Sequence, residues 1–257
     1  FTELVIGKRT DNLTIDPVEL KIDENMSIYF QGRIDRVDTL KKNGITYVNV
    51  IDYKSSYKDI DLSDAVQGLQ LQLLVYMSAI IKNGEKLLLS KPEIGGAYYF
   101  CIDDPMIDAD AFSNSIIEDE IFNKLSLKGY ILEDAEIIGN MDNEIEEKKS
   151  SNIIPVSFNK DGSTSKSSKT LTSKEYKALL NKTDQVAKEI AGRIIKGDIN
   201  IRPYKKDTGD KTPCSYCDFR GVCQFDPSVD ENSYRIIKKL KKDDILLEIT
   251  REGGEKQ

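Results

Sequence analysis

The chain has 257 residues, 39% of them hydrophobic and 32% charged, which suits one well-packed core or a core with an added lobe. A net charge of −7 argues against indiscriminate nucleic-acid binding, although a locally basic cleft or bound cations can reverse the sign at a site. The lack of histidine excludes Ser-His and Cys-His catalysis, His-ligated zinc and a His general base within the chain, and no apolar run is long enough to span a bilayer.

The chain opens on Phe1 and runs straight into an apolar stretch, which reads as a cut through a larger protein. Residues 1–30 hold LVIG, VELKI and SIYF, separated by DNL and DEN, the pattern of short antiparallel strands with polar turns. Glu3 reads as an exposed strand charge. Residues 28–38 form the next strand. Strict alternation puts Ile28, Phe30, Gly32 and Ile34 on one face and Tyr29, Gln31, Arg33 and Asp35 on the other, with Asp38 opposite Asp35. Lys41-Lys42-Asn43-Gly44 is a turn signal. The strand 45–54 carries Val48, Val50, Asp52 and Lys54 on one face and further apolar residues on the other, so it reads as central.

A helix is expected from about residue 65, with Ser63-Asp64 as N-cap and Gly84 as its end, presenting Leu69, Leu73, Tyr76 and Ile80 to the sheet. Residues 94–102 read as a strand, 111–126 and 133–140 as short helices, and 153–158 as another short strand. A long helix is expected from Ser173 to Lys196, ended by Gly197, and residues 234–249 read as a helical tail. No internal repeat or clear linker is visible. The division expected is a core over residues 1–200 and a cysteine-containing appendage over 201–257.

The chemistry gathers on the hairpin from Gly32 to Lys54. Asp35 on its first strand and Asp52 on its second can share one Mg²⁺ (or Mn²⁺), with the carbonyl of Tyr53 as a third oxygen. Lys54, on the face of Asp52, can position water or stabilise developing charge. Gln72 and Tyr76, one helical turn apart, can approach from above. A strand-end ion pair and a polar helix face would explain these residues singly. The ordered set of G-x-x-D, turn, D-x-K and a helix with Q-x-x-x-Y is harder to explain that way.

The motifs Gly32-Arg33-Ile34-Asp35, Asp52-Tyr53-Lys54-Ser55 and Gln72-Leu73-Leu74-Val75-Tyr76 resemble those of the RecB-type PD-(D/E)XK nucleases. The later segments GGAYYF, LKGYIL, IIPVSFNKDG and GDINIRPYK extend the resemblance toward the C-terminal nuclease domains of AddB/RexB-type subunits of bacterial helicase–nucleases. The resemblance implies an α/β (α+β) fold with a restriction-endonuclease-like core, a mixed central sheet flanked by helices. It implies that Asp35 and Asp52 bind the metal and that Lys54 is catalytic, with Gln72 and Tyr76 completing the site. It further implies a cytoplasmic bacterial DNA exonuclease domain that cuts the 5′-ended strand at processed double-strand ends. The partners implied are duplex ends, the unwound single strand and an AddA/RexA-type helicase–nuclease subunit, with no membrane. A non-catalytic DNA-end-binding or subunit-docking module of nuclease ancestry is the alternative.

Cys214, Cys217 and Cys223 cluster while Cys101 stands apart in an apolar strand, which suits a metal site better than two disulfides. Three thiolates are one short of the usual zinc or iron–sulfur set. The resemblance implies a [4Fe–4S] cluster whose fourth cysteine would lie before Phe1. Candidate DNA contacts are Arg33, Arg36, Lys160, Lys166, Lys169, Lys205, Lys206, Lys211 and Arg220, with Tyr53, Tyr57 and Tyr204 as stacking surfaces.

Overall fold

A computed structural model describes residues 1–7, 13–102, 121–209, 212–229 and 233–254. Short apolar segments at the start form β1 (Thr2–Ile6), β2 (Thr14–Ile15), β3 (Val18–Lys21) and β4 (Ser27–Phe30). The long hairpin follows as β5 (Gly32–Lys42) and β6 (Ile45–Lys54). Its two-residue turn needs left-handed backbone at both positions, and Asn43 (φ 50°) and Gly44 (φ 78°) supply it. Farther on come β7 (Pro92–Cys101), β8 (Lys128–Leu132) and β9 (Thr170–Leu171). These strands build one mixed seven-stranded sheet in the order β2-β1-β5-β6-β7-β8-β9. The apolar residues on both faces of β6 follow from its place in the middle of that sheet.

The helices that matter for the site are α1 (Leu62–Val66), α2 (Gln72–Asn83), α3 (Ser173–Ile195) and α4 (Lys242–Gly254). One face of the sheet packs Leu4, Ile34, Val48 and Val50 against Leu73, Met77 and Ile80 of α2, Leu179 of α3 and Ile245 and Ile249 of α4. The other face packs Ile51, Tyr98 and Ile131 against Ile137, Ile138, Ile145, Ile154 and Val156. The result is helix, sheet and a thinner outer layer, the mixed α/β arrangement expected. α3 is started by a reciprocal cap in which Thr172 and Glu175 satisfy each other's backbone N–H groups. Asp184 in α3 accepts from Ser78 and pairs with Lys82, which fixes α2 against α3.

Several elements differ from the sequence expectation. The helix expected from residue 65 is two helices. Asp61, not Ser63 or Asp64, caps the first, accepting from the N–H groups of Ser63 and Asp64. Gly68 then takes φ +87°, which ends α1, and its missing side chain admits Val186 and Ile190 of α3. Gly84 keeps right-handed backbone and hands over to the short helix Glu85–Leu88. Phe30 and Gly32 belong to different sheets, since β4 pairs with β3 alone. Residues 153–158 do not form a strand. Only isolated bridges occur there, at Ser157 and Phe158, because Pro155 withholds a ladder donor while Ile154 and Val156 bury individually. The expected helical tail divides in two. β10 (Tyr204–Lys206) pairs with its first part as β11 (Arg235–Ile237), and the rest forms α4. β-branched Ile236 and Ile237 favour the strand, and the acidic first turn of α4, Asp243 and Asp244, favours a helix start beyond it. The short helix expected at 133–140 forms as Ala135–Met141, and most of the one expected at 111–126 lies outside the described residues.

The segment after residue 200 is tied to the rest of the molecule. Lys206 pairs with Asp64 at 2.6 Å, and Ser63 both donates to the carbonyl of Lys238 and accepts from the N–H of Leu240. Among the described residues, no helix is long and apolar enough to cross a membrane.

Candidate active site

β5 and β6 pair without interruption from the turn up to Arg36 opposite Ile51, and there the ladder stops. At the same point alternation breaks. Ile34 and Val37, three residues apart, both enter the main core. The break lets Gly32 and Asp35 serve one site although strict alternation assigns them to opposite faces. One residue past the last pair, the same register sets Asp35 across from Asp52. Asp35 Oδ2 accepts the N–H of Tyr53 at 2.8 Å, so this side chain, where pairing ends, satisfies a backbone donor of β6. Asp38 lies across from Asn49 and pairs with Arg36 at 2.7 Å. Glu3 is exposed and pairs with Arg33 at 2.8 Å.

From Asp52 a continuous line of polar contacts runs to α2. Asp52 is only 3% exposed, and its Oδ2 is in ion-pair contact with the ammonium of Lys54. Lys54 Nζ donates to Gln72 Oε1 at 3.3 Å, and Gln72 Nε2 donates to the hydroxyl of Tyr76 at 3.2 Å. The Tyr76 ring closes the line by lying over Gly32, where a Cβ would stand 3.0 Å from Cε1. The structure therefore brings Asp52, Lys54, Gln72 and Tyr76 together in one contact chain, with Asp35 adjacent through Tyr53.

The site also contains a residue that the motif reading passed over. Tyr99 on β7 stands directly beside Asp52 in the parallel register, and its ring receives the Lys54 ammonium at 5.6 Å from the centroid. Burial, and then the neighbouring Asp52 carboxylate, push its hydroxyl up to about 12, so it stays protonated at neutral pH. The signal was present in sequence, because a strand parallel to β6 in the GGAYYF segment must bring one of its aromatics level with Asp52.

The donor set suits a hard cation. Two carboxylates and a carbonyl are oxygen ligands of the kind Mg²⁺ prefers, and they leave positions for water. Asp52 is buried, and its Oδ2 is met by the Lys54 ammonium in direct charge-assisted contact, so the carboxylate is held ionised beside the place a cation would take. Among the described residues no group of three or more His, Cys, Asp or Glu side chains converges as a metal cage. A cation here would thus rely on two carboxylates, backbone and water.

The same finding bears on the cysteines. All four are free thiols. Cys214, Cys217 and Cys223 line one cavity of about 510 Å³ together with Arg220 and Tyr234, but they do not converge as a metal group. Cys101 is half-buried at the end of β7, level with Lys54. The thiols of this chain alone do not fit a four-thiolate cluster. Of the basic residues expected to touch DNA, Arg33, Arg36 and Lys206 are engaged by Glu3, Asp38 and Asp64, Lys169 is paired with Asp59, and Lys211 lies outside the described residues.

Comparison with known proteins follows the same line. The chain is 42% identical, over 99% of its length, to a protein of Alkaliphilus metalliredigens named as the B-type subunit of an ATP-dependent helicase/deoxyribonuclease. It is 40% identical over 98% of its length to the protein of the same name in Alkaliphilus oremlandii, and 36% identical over 98% to that of Clostridium perfringens. It covers 22%, 21% and 22% of those proteins, so it spans about a fifth of their length. The sequence profile of the PD-(D/E)XK nuclease superfamily matches residues 4–224, a stretch that includes every residue of the contact chain from Gly32 to Tyr76. With that match and a mixed sheet presenting the D…D-x-K set at its centre, the chain belongs to the PD-(D/E)XK nuclease superfamily.

Proposed function

We propose that this domain is the Mg²⁺-dependent DNA exonuclease unit of a bacterial, cytoplasmic helicase–nuclease that processes double-strand ends for recombinational repair, cutting the 5′-ended strand beside an AddA/RexA-type partner subunit. The observation that carries the reading is the buried Asp52 carboxylate, in direct contact with the Lys54 ammonium, at the head of the Lys54–Gln72–Tyr76 line. The names of its relatives support the DNA substrate and the helicase partner.

In this reading Asp35, Asp52 and the carbonyl of Tyr53 would hold the cation. When bound, a divalent cation supplies charge neutralisation at the phosphate and lowers the pKa of water. The chain supplies the rest. Lys54 places a positive charge beside the acidic pair, where it can orient water and stabilise charge gathering on the phosphate oxygens. Gln72 holds the ammonium from above, and Tyr76 holds Gln72. Tyr99, neutral and buried, walls the site on the β7 side. Tyr53 N–H anchors Asp35 so that its carboxylate need not be reorganised.

The test is cleavage of DNA labelled separately at each end by the full helicase–nuclease carrying Asp35→Ala or Lys54→Ala. Loss of 5′-strand products, with unwinding retained, is expected. Unchanged 5′-strand cleavage in either variant overturns the site assignment. The resemblance carried by the cysteine spacing implies a [4Fe–4S] cluster completed by a thiol from outside residues 1–257, and iron and acid-labile sulfide analysis of the longer protein tests that part.

A further inference from the structure

The register that sets Asp52 beside Tyr99 continues one strand farther, since Tyr99 pairs with Lys128 on β8. Asp52, Tyr99 and Lys128 thus form a row across three strands on the helix-covered face. Two strand spacings separate the ends of this row, roughly 10 Å. Three more lysines reach the same region from elsewhere. Lys58 Nζ lies 5.2 Å from the Tyr99 centroid, and Lys169 and Lys242 lie 5.6 and 5.3 Å from that of Tyr130, two residues beyond Lys128. All four lysines are only partly exposed.

Carboxylates flank these lysines, Asp59 acting on Lys128, and Glu175, Asp243 and Glu133 on Lys242. Asp59 pairs with Lys169. Lys128 and Lys242 bond neutral oxygens instead, the carbonyls of Asn123 at 2.9 Å and Thr170 at 3.0 Å. Nearby carboxylates have other duties. Glu133 accepts from Thr164, and Glu175 closes the cap of α3. Burial, helped by the proximity of Lys169, holds the ammonium groups of Lys128 and Lys242 below the ordinary lysine range despite the opposing pull of those carboxylates. A protein of net charge −7 has thus set four lysines along the row that begins at its acidic pair.

We infer that Lys58 on Tyr99, Lys169 and Lys242 on Tyr130, and Lys128 beside Tyr99 on β8 form the track that carries the phosphates of a single DNA strand to the Asp35–Asp52 site. The aromatic rings are 2% and 7% exposed and covered by ammonium groups, so they support lysines and cannot stack bases. The track therefore reads backbone and not sequence. These lysines are positioning residues, and the inference rests on the nuclease reading above.

The experiment compares the full protein with its Lys128→Gln/Lys242→Gln variant and with Lys58→Gln, the milder change. Binding of a fluorescein-labelled oligothymidylate is followed in EDTA as salt is raised, and Mg²⁺-dependent cleavage is measured separately. At ~0.7 released counterions per phosphate contact on a single strand, the double variant lowers the salt slope by about 1.4. KM rises, kcat holds, and Lys128→Arg/Lys242→Arg restores the slope. Oligothymidylate and oligodeoxycytidylate show the same lysine dependence. A wild type that cuts while the Gln variants keep its slope and KM overturns the track and leaves the nuclease reading standing. A lysine dependence equal on duplex and single strand overturns the single-strand assignment. A wild type that neither binds nor cuts overturns both proposals.

Discussion

Gly32→Ala separates the architecture of the site from the stability of the fold. The new Cβ would stand 3.0 Å from Tyr76 Cε1 and 3.2 Å from its hydroxyl, whereas carbon–carbon contacts are comfortable at ~3.5–4.0 Å. The Tyr76 ring must give by roughly 0.5–1 Å. Its hydrogen bond to Gln72 is already 3.2 Å and that of Gln72 to Lys54 is 3.3 Å, so neither has slack to absorb the movement. Displacement of about 1 Å in a catalytic array costs up to ~10²-fold in rate. Stability responds differently. Overpacking against a half-buried ring costs about 1 kcal/mol, near the low end for added methyl groups. Replacing a glycine with unexceptional backbone returns about 0.4–1 kcal/mol through the unfolded chain. Thermal melting should therefore shift little while kcat falls ten- to a hundredfold, by order of magnitude. In a Tyr76→Ala background, the same change at residue 32 should cost nothing further, because the contact that transmits it is gone. An unchanged kcat for Gly32→Ala, or an equal loss with and without Tyr76, refutes the reasoning.

Asp52→Asn keeps the shape but removes the charge that Lys54 and a cation both use. Cleavage should fall by ~10³ or more, the rate equivalent of several kcal/mol of charge stabilisation, and calorimetry should show Mg²⁺ binding weakened. Gly68→Ala places a Cβ at φ +87° and 3.1 Å from Val186 Cγ1. A cost of ~2 kcal/mol, or roughly 4–8 °C in melting temperature, is expected by calorimetry, and an unchanged midpoint contradicts it. The Asp134 carboxyl is held below its ordinary 3.8: burial acts upward, but the N–H groups of Ile137 and Glu136 and the ammonium of Lys42 outweigh it. Its contribution is thus complete above the unfolded value and lost as pH falls through the lower folded value. Asp134→Ala should cost ~0.5–2 kcal/mol at neutral pH, and a denaturant series should show that difference shrinking below about pH 4.

The fold was legible where local chemistry decides. Asn43-Gly44 specifies a hairpin turn by its backbone alone, and Thr172 with Glu175 specifies the start of α3. The errors arose where a partner distant in sequence decides. Gly68 looks tolerable within a helical pattern until α3 is in place, when Val186 and Ile190 occupy the space a longer side chain would need. Ile236 and Ile237 continue an amphipathic run when read alone, but the pairing partner that makes them a strand is Tyr204–Lys206, some thirty residues earlier. Pro155 was readable as a breaker, and the apolar content around it obscured that.

The site divides in the same way. Asp35, Asp52 and Lys54 lie within one hairpin, so strand geometry nearly suffices to assemble them, and Gln72 and Tyr76 follow one loop later. Even there, period-2 parity misleads at Gly32. It assumes an unbroken ladder, whereas β5 joins β6 only from Arg36 onward, and the residues before Arg36 are aimed without that pairing. The lysine row has no such local signature. Residues 58, 128, 169 and 242 share neither motif nor spacing, and they meet only because β7 places Tyr99 between Asp52 and Lys128 while β9 and α4 close over Tyr130. On the proposed reading, an acidic chain sets four lysines at the edge of the carboxylates that would hold the cation. Such a placement would draw a phosphate backbone to the site by local charge, while the net charge of −7 disfavours adhesion of DNA to the rest of the surface.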